Sequence, residues 1–327
     1  MGLIDTALDA FRFKDTIFYK ETSDIEDKYN ALKKLSEEYP NNEKIINKLY
    51  IVKKGLDGEN EIAYQLKKSN IGMYVIRDLK VKYEDLSAQI DYVIITPVYT
   101  YYVECKNLIG NITVTDKGEF IREYEINGKK IKKGMYSPLR QVEAQREVIR
   151  KIWDNNTSNF KKMFASKNFE HYRRVLVVAA NQETILNTNK APKDIKYKIL
   201  RADSLINQIK YDLNHRDKDE IFDSKKKLEE YAQSYINISN NEKIDYYNYY
   251  KNKYCTSNIN IKEELISFRT RRSKEMKIQA YYVFTNEELD KIVELNPKTI
   301  EELSPIISSI KIKTHGKEIL NIIKKIK

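Results

Sequence analysis

The feature that most constrains this chain is a change of hydrophobic period near residue 70. Before it, apolar residues recur at helical spacing, so 24–39 and 43–69 read as helices. The second carries Ile45, Ile46, Leu49, Ile51 and Val52 on its apolar side and ends in GENEIAYQLKKS. After it come the short runs MYVIRDL, AQIDYVIIT and TYYVECKN, rich in Val, Ile and Tyr, which read as strands. NITVTD and EFIREYEI continue the pattern, and Asn127-Gly128 is a hairpin turn signal leading into KKIKKG. From Ser137 the chain reads PLRQVEAQREVIRKIW, a helix with Ser137 as N-cap, Pro138 in its first turn, and Val142, Ile149 and Ile152 on one side. RVLVVAA at 174–180 is a continuous apolar run suited to a strand buried on both faces. DIKYKILR at 194–201 reads as another strand, with a helix following from Asp203. Helix, strands, helix, strand make an α/β domain.

The flanks read differently. At the N-terminus, Leu3, Ile4, Ala7, Leu8 and Phe11 fall at helical spacing, so 1–45 is expected as a helical extension that docks on the body. Asp5 and Asp9 interrupt this stretch, which excludes a signal peptide, although Gly2 and Thr6 fit the loose myristoylation pattern. Residues 205–257 are polar and rich in Lys, Asn and Tyr, and are expected as a helical connector. Within them DYYNYYKNKY sets aromatics beside lysines, which base stacking and helix packing explain equally well. Residues 258–327 are helical in pattern, with breaks at Pro297 and Pro305, Thr299 as a cap, and Gly316 near the start of the last helix. They form a small helical bundle.

Composition narrows the partner. A formal charge of +11 over 327 residues favours an acidic partner, nucleic acid or an anionic membrane, although an AT-rich coding genome also enriches Lys, Asn, Ile and Tyr. No apolar run approaches the roughly 20 residues of a membrane span. Two cysteines, Cys105 and Cys255, make no disulfide framework and suit a reducing cytosol, so a cytoplasmic location is expected. His171, His215 and His315 lie far apart, so no structural zinc is expected. There is no G-x-x-x-x-G-K-[ST] sequence and hence no P-loop motor. Asp24-Ile25-Glu26 mimics an exonuclease D-x-E motif but sits in a charged helical stretch.

The chemistry-bearing residues are the charges that interrupt QIDYVII and YYVECK. Strand alternation places Glu104 and Lys106 on one face with Tyr102, and turns Val103 and Cys105 to the other. An acid and a base two apart on an apolar strand are costly to bury and make sense beside a polar cleft. The short TPVYT connection allows antiparallel pairing that brings Asp91 beside Glu104. Two adjacent carboxylates repel unless a cation lies between them, and Mg²⁺ takes such oxygen ligands, with Mn²⁺ as the alternative. A lysine beside the ion orients the attacking water or stabilises a phosphoryl transition state.

Together, GLDGENEIAYQL, QIDYVII, YYVECKN with Gly110, and SPLRQVEAQ resemble the nuclease-related (NERD) domain of the PD-(D/E)XK nuclease-like superfamily over about residues 50–155. The resemblance implies a restriction-endonuclease-like α/β fold over 46–204, a mixed central sheet flanked by helices. It implies a metal held by Asp91, Glu104 and the backbone carbonyl of Cys105, Lys106 as the catalytic lysine, Glu59 as a helical acid with Glu61 as fallback, and Gln141 reaching in from its helix. Cys105 itself reads as a core thiol by alternation. Residues 261–327, with Leu265, Arg269, YYVFTNEEL, Leu289, Pro297, Leu303 and Gly316, resemble the HRDC domain, a helical nucleic-acid-binding module. Ala280 replaces its usual proline, and IISSIKIK replaces a glycine-containing hairpin that often touches nucleic acid. Arg269, Arg271, Arg272, Lys311, Lys313 and Lys317 are the candidate phosphate contacts, or else a solvated basic face.

The expectation is a Mg²⁺-dependent nuclease acting on nucleic acid, DNA favoured, with the helical bundle as its tether and a helicase or other nucleic-acid-processing protein as partner. The alternative is a non-catalytic nucleic-acid-binding or adaptor protein that keeps the nuclease fold.

Overall fold

The computed structural model describes residues 13–126, 128–155, 169–240, 242–255 and 257–325, with the side chains of 257–260 and 325 left out. The amphipathic face expected at Leu3–Phe11, and Asn127 of the expected turn, lie outside them. Tertiary contacts divide the chain into two units: residues up to 33 together with 46–243, and 34–45 together with 244–327.

In the first unit, β1 (Thr16–Lys20), α1 (Asp24–Glu38) and α2 (Glu43–Lys67) precede three long strands, β2 (Met73–Tyr83), β3 (Leu86–Ile95) and β4 (Thr100–Lys106). A branch follows: β5 (Asn111–Val114), β6 (Phe120–Ile126) and β7 (Lys129–Met135). The chain then enters α3 (Pro138–Asn155), α4 (Phe169–Tyr172), β8 (Arg173–Ala179), β9 (Leu186–Asn187), α5 (Lys193–Lys196), β10 (Ile199–Arg201), α6 (Leu205–Asn214) and α7 (Lys225–Asn237). The main sheet runs β1-β2-β3-β4-β8-β10 and is mixed: β2, β3 and β4 are antiparallel neighbours, while β1 on β2, β8 on β4 and β10 on β8 are parallel. A smaller sheet, β7-β6-β5-β9, is built largely from the segment inserted between β4 and α3.

Each face of the main sheet carries its own helices. On one, Val142, Ile149, Ile152 and Trp153 of α3 and Leu228, Ala232 and Tyr235 of α7 cover Ile76, Ile90, Val93 and Tyr102. On the other, Ile62 and Leu66 of α2 and Leu205 and Ile209 of α6 cover Val75, Tyr92, Ile94 and Val103. This is the expected α/β architecture, with three departures. Thr16–Lys20 is a strand, parallel to β2, inside a stretch expected to be helical. DIKYKILR yields only the three-residue β10, because its first half folds into the short helix α5. Part of the expected connector is core: α7 buries Leu228 and Tyr235, and the Tyr235 hydroxyl meets that of Tyr102 at 2.7 Å while its ring packs edge-on to Trp153.

A phase slip in β2 and β3 sets the geometry of the centre. On both strands the face-to-face alternation breaks at one level: Ile76 and Leu79 share a face, as do Ile90 and Val93, although each pair is three residues apart. The register does not change across the break, since Arg77 pairs with Tyr92 and Leu79 with Ile90. Asp78, opposite Asp91, has φ +54°, a left-handed conformation that a non-glycine residue adopts only when held. It is held: its carboxylate accepts Asp24 N–H at the start of α1 (2.7 Å) and the Gln89 amide (2.6 Å).

In the second unit, α8 (Tyr246–Tyr254), α9 (Ser257–Met276), α10 (Ala280–Val283), α11 (Asn286–Leu295), α12 (Ile300–Leu303) and α13 (Ser309–Lys325) enclose a core of Leu265, Phe268, Val283, Phe284, Ile292, Leu303 and Ile319. Thr285 and Glu288 form a capping box at the start of α11. Asn296 in the left-handed region ends that helix before Pro297, and Thr299 caps α12. Gly316 lies inside α13 rather than near its start; a Cβ there would meet Ile300 at 3.1 Å. Two tyrosines of α8 serve packing: Tyr246 and Tyr250 are buried, and Tyr250 stacks on Tyr254, while Tyr249 is 47% exposed.

Truncating Leu228 tests whether α7 is core or connector. Leu228→Ala is expected to lower the unfolding free energy by about 2–5 kcal/mol in a urea titration, as for a buried leucine in a core. A solvated connector would register within about 0.5 kcal/mol.

Candidate active site

The site is assembled where β3 and β4 approach α2 and α3. The β3–β4 ladder pairs Tyr92 with Val103, so the next level sets Asp91 against Glu104. At that level the Asp91 carboxylate, partly buried, accepts the main-chain N–H of Cys105 at 2.7 Å. Glu104 and Lys106 project toward α3, as alternation requires, and Cys105 packs among the apolar residues on the α2 side.

Glu104 is only 4% exposed, and three groups converge on it. The Lys106 ammonium donates to Oε1, Gln141 donates to the same oxygen at 2.8 Å, and Gln145 reaches Oε2 at 3.5 Å. Lys106 also donates to the Gln141 carbonyl oxygen at 3.2 Å, closing a Glu104–Lys106–Gln141 triangle. A buried ion pair is tolerable only when its remaining hydrogen-bonding capacity is met, and the two amides of α3 meet much of it. Gln145 was not foreseen from sequence. Its one signal is its place four residues after Gln141, on the same helical face.

The close approach of α2 depends on Gly58. A Cβ there would stand 2.5 Å from the Cβ of Asn107 and 3.2 Å from the Cys105 sulfur. Asn107 also donates to the Lys54 carbonyl, binding the end of β4 to α2. The next residue, Glu59, is buried at 8% exposure and points its carboxylate at Arg77 Nε, 2.9 Å away. Arg77 is itself buried and also binds Glu26 (2.9 Å) and Asn60 (3.1 Å). Burial raises the Glu59 pKa, and the Arg77 charge and hydrogen bond work against that rise. Glu61, the alternative acid, lies farther round α2 with Gln65 and Gln182.

Asp91 feels this arrangement most. Burial, then the charges of Glu104 and Glu59, push its pKa well above the usual carboxylate range, against the Cys105 N–H and Lys106. Burial and the same three carboxylates push the Cys105 thiol up, so its side chain is a neutral SH rather than a thiolate ligand. The convergence of Glu59, Asp91 and Glu104 is electrostatic, not a preformed triad, because their ligand atoms do not all fall within 4.8 Å of one another. Among the described residues His171, Asp217 and Glu220 do meet that spacing. Glu220 there already takes the Tyr99 hydroxyl and Asp217 N–H and meets the His171 ring, at 2.6, 2.9 and 2.6 Å.

The basic residues of the second unit divide into two groups. Arg269 donates to the Phe284 carbonyl and Asn286, Arg272 pairs with Glu275, and Lys311 pairs with the capping acid Glu288 at 2.7 Å. These three are engaged within the bundle. Arg271, Lys313 and Lys317 are exposed, with Arg271 3.9 Å from Glu275 one helical turn on.

A family model described as the nuclease-related domain matches residues 54–179, which contain Glu59, Asp91, Glu104, Lys106 and Gln141, and a second, described as the HRDC domain, matches residues 260–323. The chain carries a nuclease-related domain followed by an HRDC domain. Searches of curated proteins and of solved structures found no match. The two domains mark a nuclease-related, nucleic-acid-binding protein, and among its described residues no helix is long and apolar enough to cross a membrane.

The raised pKa of Asp91 has a stability consequence. A carboxyl group whose folded pKa exceeds its unfolded value binds more protons in the native state, so its contribution is full below about pH 3.9 and is lost as pH rises through the folded pKa. At neutral pH in a chelator, Asp91→Asn is therefore expected to unfold at a higher temperature than wild type. The gain should shrink as pH is lowered toward 4, and a lower melting temperature at pH 7.5 would contradict this account.

Proposed function

We propose that the nuclease-related domain is a divalent-metal-dependent nuclease whose reacting groups are Asp91, Glu104, Lys106 and Gln141. The observation that carries this is the placement of Asp91: it lies level with Glu104 on the neighbouring strand, and with Lys106 committed to Glu104 and Arg77 to Glu59, no basic group among the described residues is paired with it, so the donor set is short of positive charge. Asp91, Glu104 and the main-chain carbonyl of Cys105 would hold Mg²⁺, or Mn²⁺ in its place, and the neutral Cys105 thiol would stay in the core. The ion would supply Lewis acidity toward a phosphodiester oxygen and a more acidic bound water.

The protein's own groups do the rest. Lys106, fixed by Glu104 and Gln141, presents an ammonium where negative charge grows on the phosphoryl oxygens or where an attacking water must be held. Gln141 holds one oxygen of Glu104 and Gln145 reaches the other, so the two amides of α3 fix its rotamer. Glu59, ion-paired with Arg77, acts as a positioning residue: its carboxylate bears on Asp91 and its main-chain carbonyl accepts the Tyr92 hydroxyl at 2.7 Å. In the HRDC domain, Arg271, Lys313 and Lys317 supply exposed phosphate contacts that tether the substrate, DNA favoured, and raise its concentration at the nuclease domain.

One observation favours the non-catalytic reading. Glu104 is hydrogen-bonded and ion-paired within the protein, so the site is self-consistent as a purely structural network. Cleavage decides between the two. Wild type with Mg²⁺ or Mn²⁺ should hydrolyse DNA, and Asp91→Ala and Lys106→Ala should each lose about 100-fold or more of the rate. Equal rates in all three, or no cleavage with any divalent ion, would leave a binding protein.

The tether has a separate signature. Lys313→Ala and Lys317→Ala should each reduce the salt dependence of DNA binding by about one unit of slope, whereas Lys311→Ala should act chiefly by loosening α11 through Glu288. Binding titrations across a salt series, alongside melting curves, separate the two effects.

A further inference from the structure

A groove of about 480 Å³ runs beside the candidate centre. One side comes from the start of β3, Leu86 to Gln89, and another from α3, through the exposed Ala144 and Lys151 and the buried Val148; Tyr136, just before α3, adds to its lining. Gln141 and Gln145, the two amides that hold Glu104, also line it. An occupant of the groove therefore lies against the residues that position a reacting carboxylate.

The lining has a definite chemistry. Leu86, Ala88, Ala144 and Val148 are apolar, and two of the groove's apolar residues stand out to solvent: Tyr136 is 71% exposed and Leu86 41%. Ser87, Gln89, Gln141 and Gln145 offer neutral donors and acceptors, and the Gln145 carbonyl oxygen is buried with no hydrogen-bond partner among the described residues. The charged residues are Glu147 and Lys151, which cancel. A track for the sugar-phosphate backbone would be basic, and this groove is neutral. Its mixture of an exposed aromatic ring, apolar walls and amide edges suits a flat group that is apolar on its faces and hydrogen-bonding on its rim, which describes a nucleobase. The volume falls within the range of small-molecule pockets.

We infer that the groove receives an unpaired nucleobase next to the phosphodiester to be cut, with Tyr136 as the stacking residue, so that the nuclease acts on single-stranded or unpaired nucleotides rather than on intact duplex. A base inside a duplex has both faces and its pairing edge occupied and cannot enter without being flipped out. This inference rests on the nuclease reading only for the identity of the neighbouring phosphate; base binding itself can be measured without cleavage.

The test uses the full-length chain in EDTA with a DNA oligonucleotide carrying 2-aminopurine, single-stranded or annealed as a blunt duplex. Wild type should bind the single strand more tightly and quench its fluorescence by stacking. Tyr136→Ala should weaken single-strand binding by roughly 5- to 100-fold and abolish the quench, and Tyr136→Phe should retain both. Ala144→Trp, which fills the groove from the exposed face of α3, should match Tyr136→Ala. Wild-type binding and quenching by both Tyr136→Ala and Ala144→Trp would overturn the inference. So would an equal loss on duplex and single strand, or no single-strand binding at all. A Mg²⁺ cleavage assay on the same proteins separates the two readings. Tyr136-dependent binding without cleavage removes the nuclease and leaves the groove, and cleavage with Tyr136-independent binding removes the groove alone.

Discussion

The nuclease-related domain is organised around a buried guanidinium. Arg77 sits in the middle of β2 and binds Glu59 and Asn60 on α2 and Glu26 on α1, so one side chain joins two helices to the sheet. A charge buried to 2% exposure is tolerated only with such partners, and removing Arg77 would leave the buried Glu59 carboxylate uncompensated. The neighbouring Asp78 does similar work through its carboxylate, which caps α1 and fixes Gln89. Both lie at the phase slip of β2 and β3, the level at which Asp91 stands opposite Glu104 through the β3–β4 register. The site is thus a consequence of how helices are fastened to the sheet, not an addition to a finished fold.

The electrostatics follow from the same fastening. Arg77 satisfies Glu59, which leaves Asp91 as the carboxyl group carrying the cost of proximity. Lys106 is committed to Glu104 and Gln141. The cost to stability at neutral pH and the proposed affinity for a cation would therefore draw on one source, the crowding of carboxyl groups at Asp91. Sites that retain strain of this kind are commonly functional ones.

Much of this was legible in the sequence where period and charge disagreed. Strands β2 to β4 announce themselves through Val, Ile and Tyr, and Asp91, Glu104 and Lys106 through being charges in such runs. Alternation turned Glu104 and Lys106 to one face and Cys105 to the other, as observed. What stayed hidden lacks contrast. TIFYK is a partly buried strand lying among charged residues, with no alternation to betray it. KKKLEEYAQSYIN reads as solvated, yet its few apolar residues all fall on the buried stripe of α7. Gln145 and Arg77 carry no pattern of their own, and their roles depend on partners far away in sequence. A left-handed aspartate within a strand has no sequence signature at all.

An edge strand of the main sheet and one of the helices that cover it come from opposite ends of the first unit's chain. β1 begins at Thr16, whereas α7, whose Tyr235 closes over Tyr102 and Trp153, ends at Asn237. During synthesis the face shared by α3 and α7 therefore stays only partly covered, by α3, until nearly the whole unit has been made, with the apolar runs of β3, β4 and β8 already emerged. At about 5–20 residues per second, the interval between the end of β8 and the end of α7 is several seconds. That interval is when this domain is most open to wrong partners, and the lysine-rich, highly charged segments around the apolar strands are the kind of flanks that keep such a nascent sheet from pairing with its neighbours.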